Sequence, residues 1–460
     1  MESLKGKKLL ILGGPALMTD VVAKAKELGV YTIVTDWYEP DKSPAKKIAD
    51  EYWMESVADA DRLTELIKEN QIDGVFTNYT DSYLPFYVNL CEKAGLPCLA
   101  NMHQIDAISN KDQSKQLCID HGISVSKRYM VSSVEDIDKL NDITFPVLTK
   151  PVDNSGQRGI FVCLNKEELK KLYAESLEFS TSKNVMIEEY VQGDYTVMFY
   201  TLQNGHVTLA TMSDKPVYGN FENNLPKLPM GYFLPSKYVG LCQNIMLPKV
   251  QAFVNTLGLK NGVIGIEAVV KDNDIFVFEM QFRLGGMRHH NFVLKENGMD
   301  LLEMLIRFSL TGKFEGWDAS KCDNAAFKNH YCSLNVLIKP DTIAKIENLE
   351  EVKSLPQVYA FTQMMYEGDT VHLAGTVQQI CCKFSLSAGS EEELADTIEK
   401  IYKTLKVYNS EGENLIIPLD YRMYRWGGVF CYKSISYYRR IWQRDLHKNY
   451  IGSNSFAFAA

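Results

Sequence analysis

At 460 residues the chain is too long for one ordinary hydrophobic core and points to roughly two to four domains. Hydrophobic residues make up 46% and charged residues 23%, a globular balance that excludes general disorder. The net charge of -9 leaves no electrostatic footprint for nucleic acid, and no apolar run approaches the ~20 residues of a membrane span. Residues 9–12 are too short for a signal-peptide core, so a cytoplasmic location is expected. The ten cysteines are scattered without a CxxC pair, which suits buried free thiols rather than a disulfide framework or a zinc site.

Residues 7–12 read as a strand, 20–28 as a helix closed by Gly29, and 30–36 as a second strand. Further strands are expected at 72–78 and 97–100, after helices near 61–69 and 83–94. This order predicts a doubly wound parallel α/β unit over the first hundred residues. Gly13, Gly14 and Asp36 invite a dinucleotide reading, but Pro15-Ala16-Leu17-Met18 breaks the G-x-G-x-x-G pattern that it needs.

A helical stretch opens at Lys111 and runs to His121. The strand over 145–150 ends in Lys150 and is followed by Asp153-Asn154-Ser155-Gly156-Gln157-Arg158-Gly159, whose backbone amides could wrap an anion. The strand at 185–189 leads through Glu188, Glu189, Tyr190 and Val191 to Gly193-Asp194 and another strand at 196–201. Residues 213–236 are rich in Pro, Gly, Asn and Tyr and read as a long surface loop, with Lys215 at its start.

Residues 262–291 concentrate chemistry-bearing side chains. Period-two alternation puts Glu279 and Gln281 on one face of a strand, and Glu267 interrupts an apolar strand before it. If the hairpin between them closes with a five-residue loop, Glu267 stands opposite Glu279, whereas a four-residue loop puts them on opposite faces. Two carboxylates so close call for a proton or a cation, and a hard divalent ion is the natural occupant. Alternatively, one Glu is simply solvated at a sheet edge.

Helices over 247–257 and 300–310 flank this stretch, and beyond Ala325 short strands (332–338, 358–366, 378–388) and a helix (391–405) read as a separate α+β unit. Residues 421–460 differ again: Arg422, Arg425, Lys433, Arg439, Arg440, Arg444 and Lys448 stand against the lone acid Asp445. A basic, aromatic tail of this kind is expected to pack back on the acidic body.

Taken together, these motifs resemble the ATP-grasp superfamily, and within it the carboxylate-amine ligases with a biotin-carboxylase-like layout. The likeness covers about residues 7–420. Lys111 and Lys150 match the two phosphate lysines, residues 153–159 with Ser155, Gly156 and Gly159 match the lid over the phosphates, and 186–191 match the adenine linker. Asp194 matches the ribose acid, Glu267 and Glu279 match the metal carboxylates at the family's spacing of twelve, and Arg283 matches the arginine that steadies an acyl phosphate. Three positions depart from the pattern: Gln281 replaces an Asn, Asp194 is one residue early where relatives have Glu, and Met287 to Asn291 match no one specificity.

The resemblance implies an α/β multidomain chain: a preATP-grasp, Rossmann-like domain over 1–105, an ATP-grasp α+β region over 106–320 with a lid at about 125–190, a C-terminal α+β domain over 321–420, and the tail. It implies ATP with Mg2+ or Mn2+ held by Glu267, Glu279 and Gln281, with Arg283 and Lys150 as catalytic groups. Glu188, Glu189, Tyr190, Val191, Asp194 and Lys215 join Lys111, Lys150 and the lid in the ATP site. Arg283, Gly286, Arg288, His289 and His290 face the substrates, with Arg288 suited to a carboxylate and the histidines to a general-base or structural role. The implied reaction activates a small carboxylate as an acyl phosphate and joins it to an amine, with no membrane span or nucleic-acid partner and with a homodimer left open. Transfer of the acyl phosphate to another acceptor, and nucleotide binding without turnover, are the alternatives.

Overall fold

The computed structural model describes residues 2–152, 159–219, 228–372 and 374–426. The N-terminal strands Lys8–Leu12, Tyr31–Thr35, Glu51–Trp53 and Gly74–Phe76 form a parallel sheet in which Lys8–Leu12 lies between Tyr31–Thr35 and Gly74–Phe76. The fourth strand is Glu51–Trp53, whereas residues 97–100, expected as a strand, are irregular. Pro97 has no amide to give to a ladder, and the Leu99 amide is taken by the Tyr87 hydroxyl at 3.3 Å. Asp36 is committed inside this unit: it accepts from the Gly14 amide and the Ser43 hydroxyl, both at 2.8 Å, and pairs with buried Lys46 at 2.9 Å. The Gly14–Asp36 pairing that invites a dinucleotide reading is therefore an internal brace.

The N-terminal unit is fixed against the rest by close backbone approach. A Cβ on Gly74 would lie 2.1 Å from the Ser309 carbonyl oxygen, so only glycine lets the helix Leu301–Thr311 sit against this strand.

A small antiparallel sheet of Arg128–Tyr129, Val185–Glu189, Val147–Pro151 and Phe161–Cys163 is backed by the helix Lys166–Glu178, which Asn165 caps. Its core holds Tyr129, Ile137, Val147, Leu169 and Ile187. The main sheet has eight strands, in the order Asp274–Gln281, Gly262–Lys271, Asp194–Gln203, His206–Asp214, Gly231–Leu234, His330–Leu337, Ile380–Ala388 and Val358–Gln363. Within the expected 213–236 loop, Val217–Tyr218 pairs with Leu228–Pro229 and Gly231–Leu234 joins the main sheet.

Residues beyond Ala325 build their own core around Leu334, Val336, Phe384, Ile398 and Leu405. They are not a detached unit, because Gly231–Leu234 pairs with both His206–Asp214 and His330–Leu337 and carries one sheet across. The helix Tyr421–Trp426 folds back on this body: Arg422 pairs with Asp396, and Arg425 pairs with Glu391 and Asp214. The remainder of the basic tail lies outside the described residues.

Candidate active site

Glu267 and Glu279 are register partners on neighbouring antiparallel strands, but the route differs from a long loop. The hairpin turns tightly at Asp272 and Asn273, both with left-handed φ (51° and 60°), between the pair Lys271 and Asp274. Val277 pairs with Ala268 and Glu279 with Glu267, so Phe278 is the extra residue of a β-bulge. Strict alternation from Ile275 and Val277, both buried, would carry Glu279 to their face of the sheet. The bulge turns Glu279 and Gln281 to the other face instead, beside Glu267. Gly265 opposite Gln281 leaves room, since a Cβ there would meet the Gln281 amide nitrogen at 2.6 Å and Phe199 at 2.7 Å.

Lys215, almost wholly buried, reaches the Oε2 atom of Glu267 at 2.5 Å. Burial opposes its charge and the Glu267 carboxylate more than offsets this, which keeps the ammonium firmly protonated. Glu279 retains solvent access at its surface, yet loss of surrounding water and the Glu267 charge raise its carboxyl above the ordinary range. Lys111 and Lys150 pull in the opposite direction, and Asp81 adds to the rise. Two lysines from separate elements thus act on this carboxylate.

Lys111 is the first residue of the helix Lys111–Asp120, whose N-terminus is capped by the Asn110 side chain accepting from the Asp112 and Gln113 amides at 3.0 and 3.1 Å. One turn on, Lys115 bonds to the buried carboxylate of Glu188, and Lys150 pairs with the same carboxylate at 2.8 Å. Burial raises the Glu188 carboxyl, but Lys150 and Lys115 more than reverse this and hold it ionised. Burial also draws Lys115 below the usual lysine range despite Glu188. Glu188 was expected at the nucleotide; its side chain instead serves as the common anchor of two lysines. Lys115 escaped the sequence reading, although its i+4 spacing from Lys111 sets both on one helix face.

In the segment expected as the linker, the Glu189 amide donates to the Lys127 carbonyl (2.8 Å) and the Tyr190 amide to the Pro146 carbonyl (3.1 Å), and Val191 is buried. Ser155 and Gly156 lie outside the described residues. Gly159 has φ 75° and its carbonyl accepts from the Ser176 hydroxyl at 2.5 Å.

Asp194 does not join the two glutamates, contrary to the expected ribose contact. Along Asp194–Gln203 its side chain has the parity of Thr196, whereas Glu267 pairs with Val197 of the opposite parity. Its carboxylate is held by the Tyr238 hydroxyl at 2.5 Å and by Lys237 at 2.7 Å, on the sheet face away from the two glutamates.

Arg283 is tied to Asp81, whose charge acts on Glu279. Its guanidinium makes a two-bond fork with Asp81 at 2.8 and 2.6 Å, and the next amide, Leu284, donates to Asn78 at 2.7 Å. Asp81 and Asn78 come from the turn after the last N-terminal strand and were not singled out in the sequence. Arg288, with φ 55°, pairs with Asp20 at 2.7 Å. Lys383, from the C-terminal strand Ile380–Ala388, is drawn below the usual lysine range by burial and by the Arg288 charge. Gly286 packs near Leu17.

His289 and His290 do not face a substrate. They are 0% and 4% exposed at the start of the helix His289–Asn297, and the His289 ring stacks on Phe199 at 3.5 Å. Burial pushes His290 down to about 4 and His289 well below its ordinary range, so both rings are neutral packing elements near pH 7.

Glu267, Glu279 and Gln281 offer hard oxygen donors on one face, a set that fits Mg2+ or Mn2+. Among the described residues no group of three or more His, Cys, Asp or Glu is arranged to hold a metal by itself. Mg2+ typically takes one or two carboxylates, with phosphate and water completing its shell.

Residues 143–291 match the ATP-grasp domain family. Formate-dependent phosphoribosylglycinamide formyltransferase of Sulfurisphaera tokodaii is 26% identical over 292 residues, spanning 60% of this chain and 70% of the relative. L-amino acid ligase from Bacillus licheniformis superposes with a TM-score of 0.73 at 19% identity, covering 88% of this chain and 99% of that one. Phosphoribosylglycinamide synthetase from Anaerococcus prevotii gives a TM-score of 0.67 at 17% identity, covering 87% and 99%. Residues 143–291 thus carry an ATP-grasp domain, and the chain shares the fold of the L-amino acid ligase and the phosphoribosylglycinamide synthetase.

Proposed function

We propose that this protein is an ATP-dependent, ADP-forming ligase that activates a small carboxylate as an acyl phosphate and joins it to an amine. The observation that carries this reading is the convergence of Lys111, Lys150 and Glu267 on Glu279. Phosphoryl transfer needs alignment and charge neutralisation rather than an activated side-chain nucleophile. Lys111 and Lys150 would bind the phosphates, with Lys150 oriented by Glu188. Glu267, Glu279 and Gln281 would hold Mg2+, which when bound supplies charge stabilisation to phosphate oxygens.

The substrate carboxylate attacks the γ-phosphorus of ATP, forming the acyl phosphate and releasing ADP. The amine then adds to the acyl carbon and phosphate departs. Arg283, aimed by Asp81, would stabilise the charge developing on the acyl phosphate. Arg288 and Lys383, two cations from different parts of the chain, suit an anionic group on a substrate. Glu189, Tyr190 and Val191 remain the adenine linker of this reading, and Ser155, Gly156 and Gly159 its lid. The divisions 1–105, 106–320 and 321–420, a cytoplasmic location and a homodimer belong to the same proposal. Among the described residues no helix is long and apolar enough to cross a membrane.

The test is ADP release with MgATP across a panel of amino acids and small dicarboxylates, each alone and paired with amines. Release that needs one acid plus one amine supports the ligase. Hydroxylamine trapping of an acyl phosphate with no amine requirement favours transfer to another acceptor, and no release with any pair removes the assignment.

A further inference from the structure

Asp214 and Lys215 are consecutive, and their side chains leave the chain end of His206–Asp214 in opposite directions. Lys215 goes to the metal face, where its ammonium lies 2.5 Å from Glu267 Oε2. Asp214 goes to the far face and is 0% exposed. There it accepts from the Ser236 hydroxyl at 2.5 Å and the Lys237 amide at 3.2 Å, and it pairs with Arg425.

Arg425 belongs to the helix Tyr421–Trp426 and is itself tied on two further sides. It bonds to Glu391 and donates to the Pro235 carbonyl at 3.2 Å. Tyr421 and Tyr424 of the same helix stack near Phe233, at 4.6 and 6.2 Å between ring centroids. The helix is thus keyed into the main sheet at the residue before Lys215. Lys215 has little freedom of its own, because its amide bonds to Tyr195 at 2.8 Å and its side chain is buried.

We propose that Arg425 is a positioning residue for the metal site: by holding Asp214 from behind, it sets Lys215 against one oxygen of Glu267 and leaves the other oxygen for the cation. The helix Tyr421–Trp426 is then a working part of the site and not a surface appendage. This inference rests on the metal reading given above. A buried carboxylate deprived of its cation must find other partners, and the strand end that carries it would move with it.

The test uses the full chain and the variants Arg425→Met and Arg425→Lys, with Mn2+ binding measured by electron paramagnetic resonance in the presence of a non-hydrolysable ATP analogue. Arg425→Met should weaken Mn2+ binding by roughly tenfold, the scale for losing an outer support of a metal ligand, and Arg425→Lys should recover part of it. A parallel rise in the Mg2+ concentration needed for half-maximal ADP formation is expected. If Arg425→Met fails to fold, Ser236→Ala removes another bond to Asp214 and should shift Mn2+ binding in the same direction. Wild-type protein that binds no Mn2+ with the analogue overturns the metal reading itself. Wild-type binding matched by unchanged binding in the folded variants leaves the metal reading standing and overturns the role of Arg425.

Discussion

Glu267 stands directly across from Glu279 because one extra residue, Phe278, bulges from the second strand and reverses the parity of the residues after it. Burial first, and then the like charge of Glu267, raise the Glu279 carboxyl. Glu279→Gln should therefore fold with unchanged or slightly higher stability while ADP formation falls about a hundredfold or more, the scale of losing metal charge stabilisation. Steady-state ADP release and a thermal melt check both halves; loss of stability together with loss of activity would point to a structural role.

Glu188 is balanced by two lysines inside the molecule. Lys115→Met leaves the buried carboxylate with Lys150 alone, which should cost about 3 kcal/mol in urea unfolding, near the lower end for breaking a buried pair. Drawn further onto Glu188, Lys150 should bind phosphate less well, and the KM for ATP should rise. Adding Glu188→Gln should restore much of the stability without restoring the ATP KM.

The Arg283–Asp81 fork fixes the plane of a guanidinium by two bonds. A lysine cannot reproduce that geometry. Arg283→Lys is expected to lower kcat by about a hundredfold, as for loss of one preorganised donor to developing charge, with little change in the KM for ATP. Asp81→Asn, which keeps the shape and removes the charge, should show a smaller loss in kcat of the same kind.

His290 has a folded pKa of about 4, below its ordinary value. Between about pH 6.5 and 4 the unfolded chain binds the proton that the folded chain refuses, so stability rises with pH across this window and is lost as pH falls. The loss reaches at most about 3 kcal/mol for this group. His290→Phe should flatten that part of the curve, measured as urea midpoints at pH 7 and pH 4.5. An identical acid loss in wild type and variant would show that other groups carry it.

Much of the candidate site is legible in the sequence. Lys111, Lys150, Glu267, Glu279 and Arg283 are recognisable by residue type, order and the strands or helix that bear them. The helix start at Lys111 is written locally, in the Asn110 cap. His289 and His290 misled because a histidine pair has the same spelling whether it lines a cleft or packs on Phe199. The sheet face of Asp194 depends on pairing with Gly262–Lys271, and the role of Lys115 depends on a partner, Glu188, remote in the chain.

The sequence by itself determined the class of chemistry, since acids, lysines and an arginine in that order carry their charges wherever the chain runs. It also determined the local elements, through caps, apolar runs and period-two alternation. Only the tertiary structure decided which side chains share a face and which are excluded from water. The bulge at Phe278, the Asp81 clamp on Arg283 and the hold of Arg425 on Asp214 all join segments distant in sequence or alter a register. Such contacts arise from packing and pairing across the fold, and those forces leave little trace in any short stretch of residues.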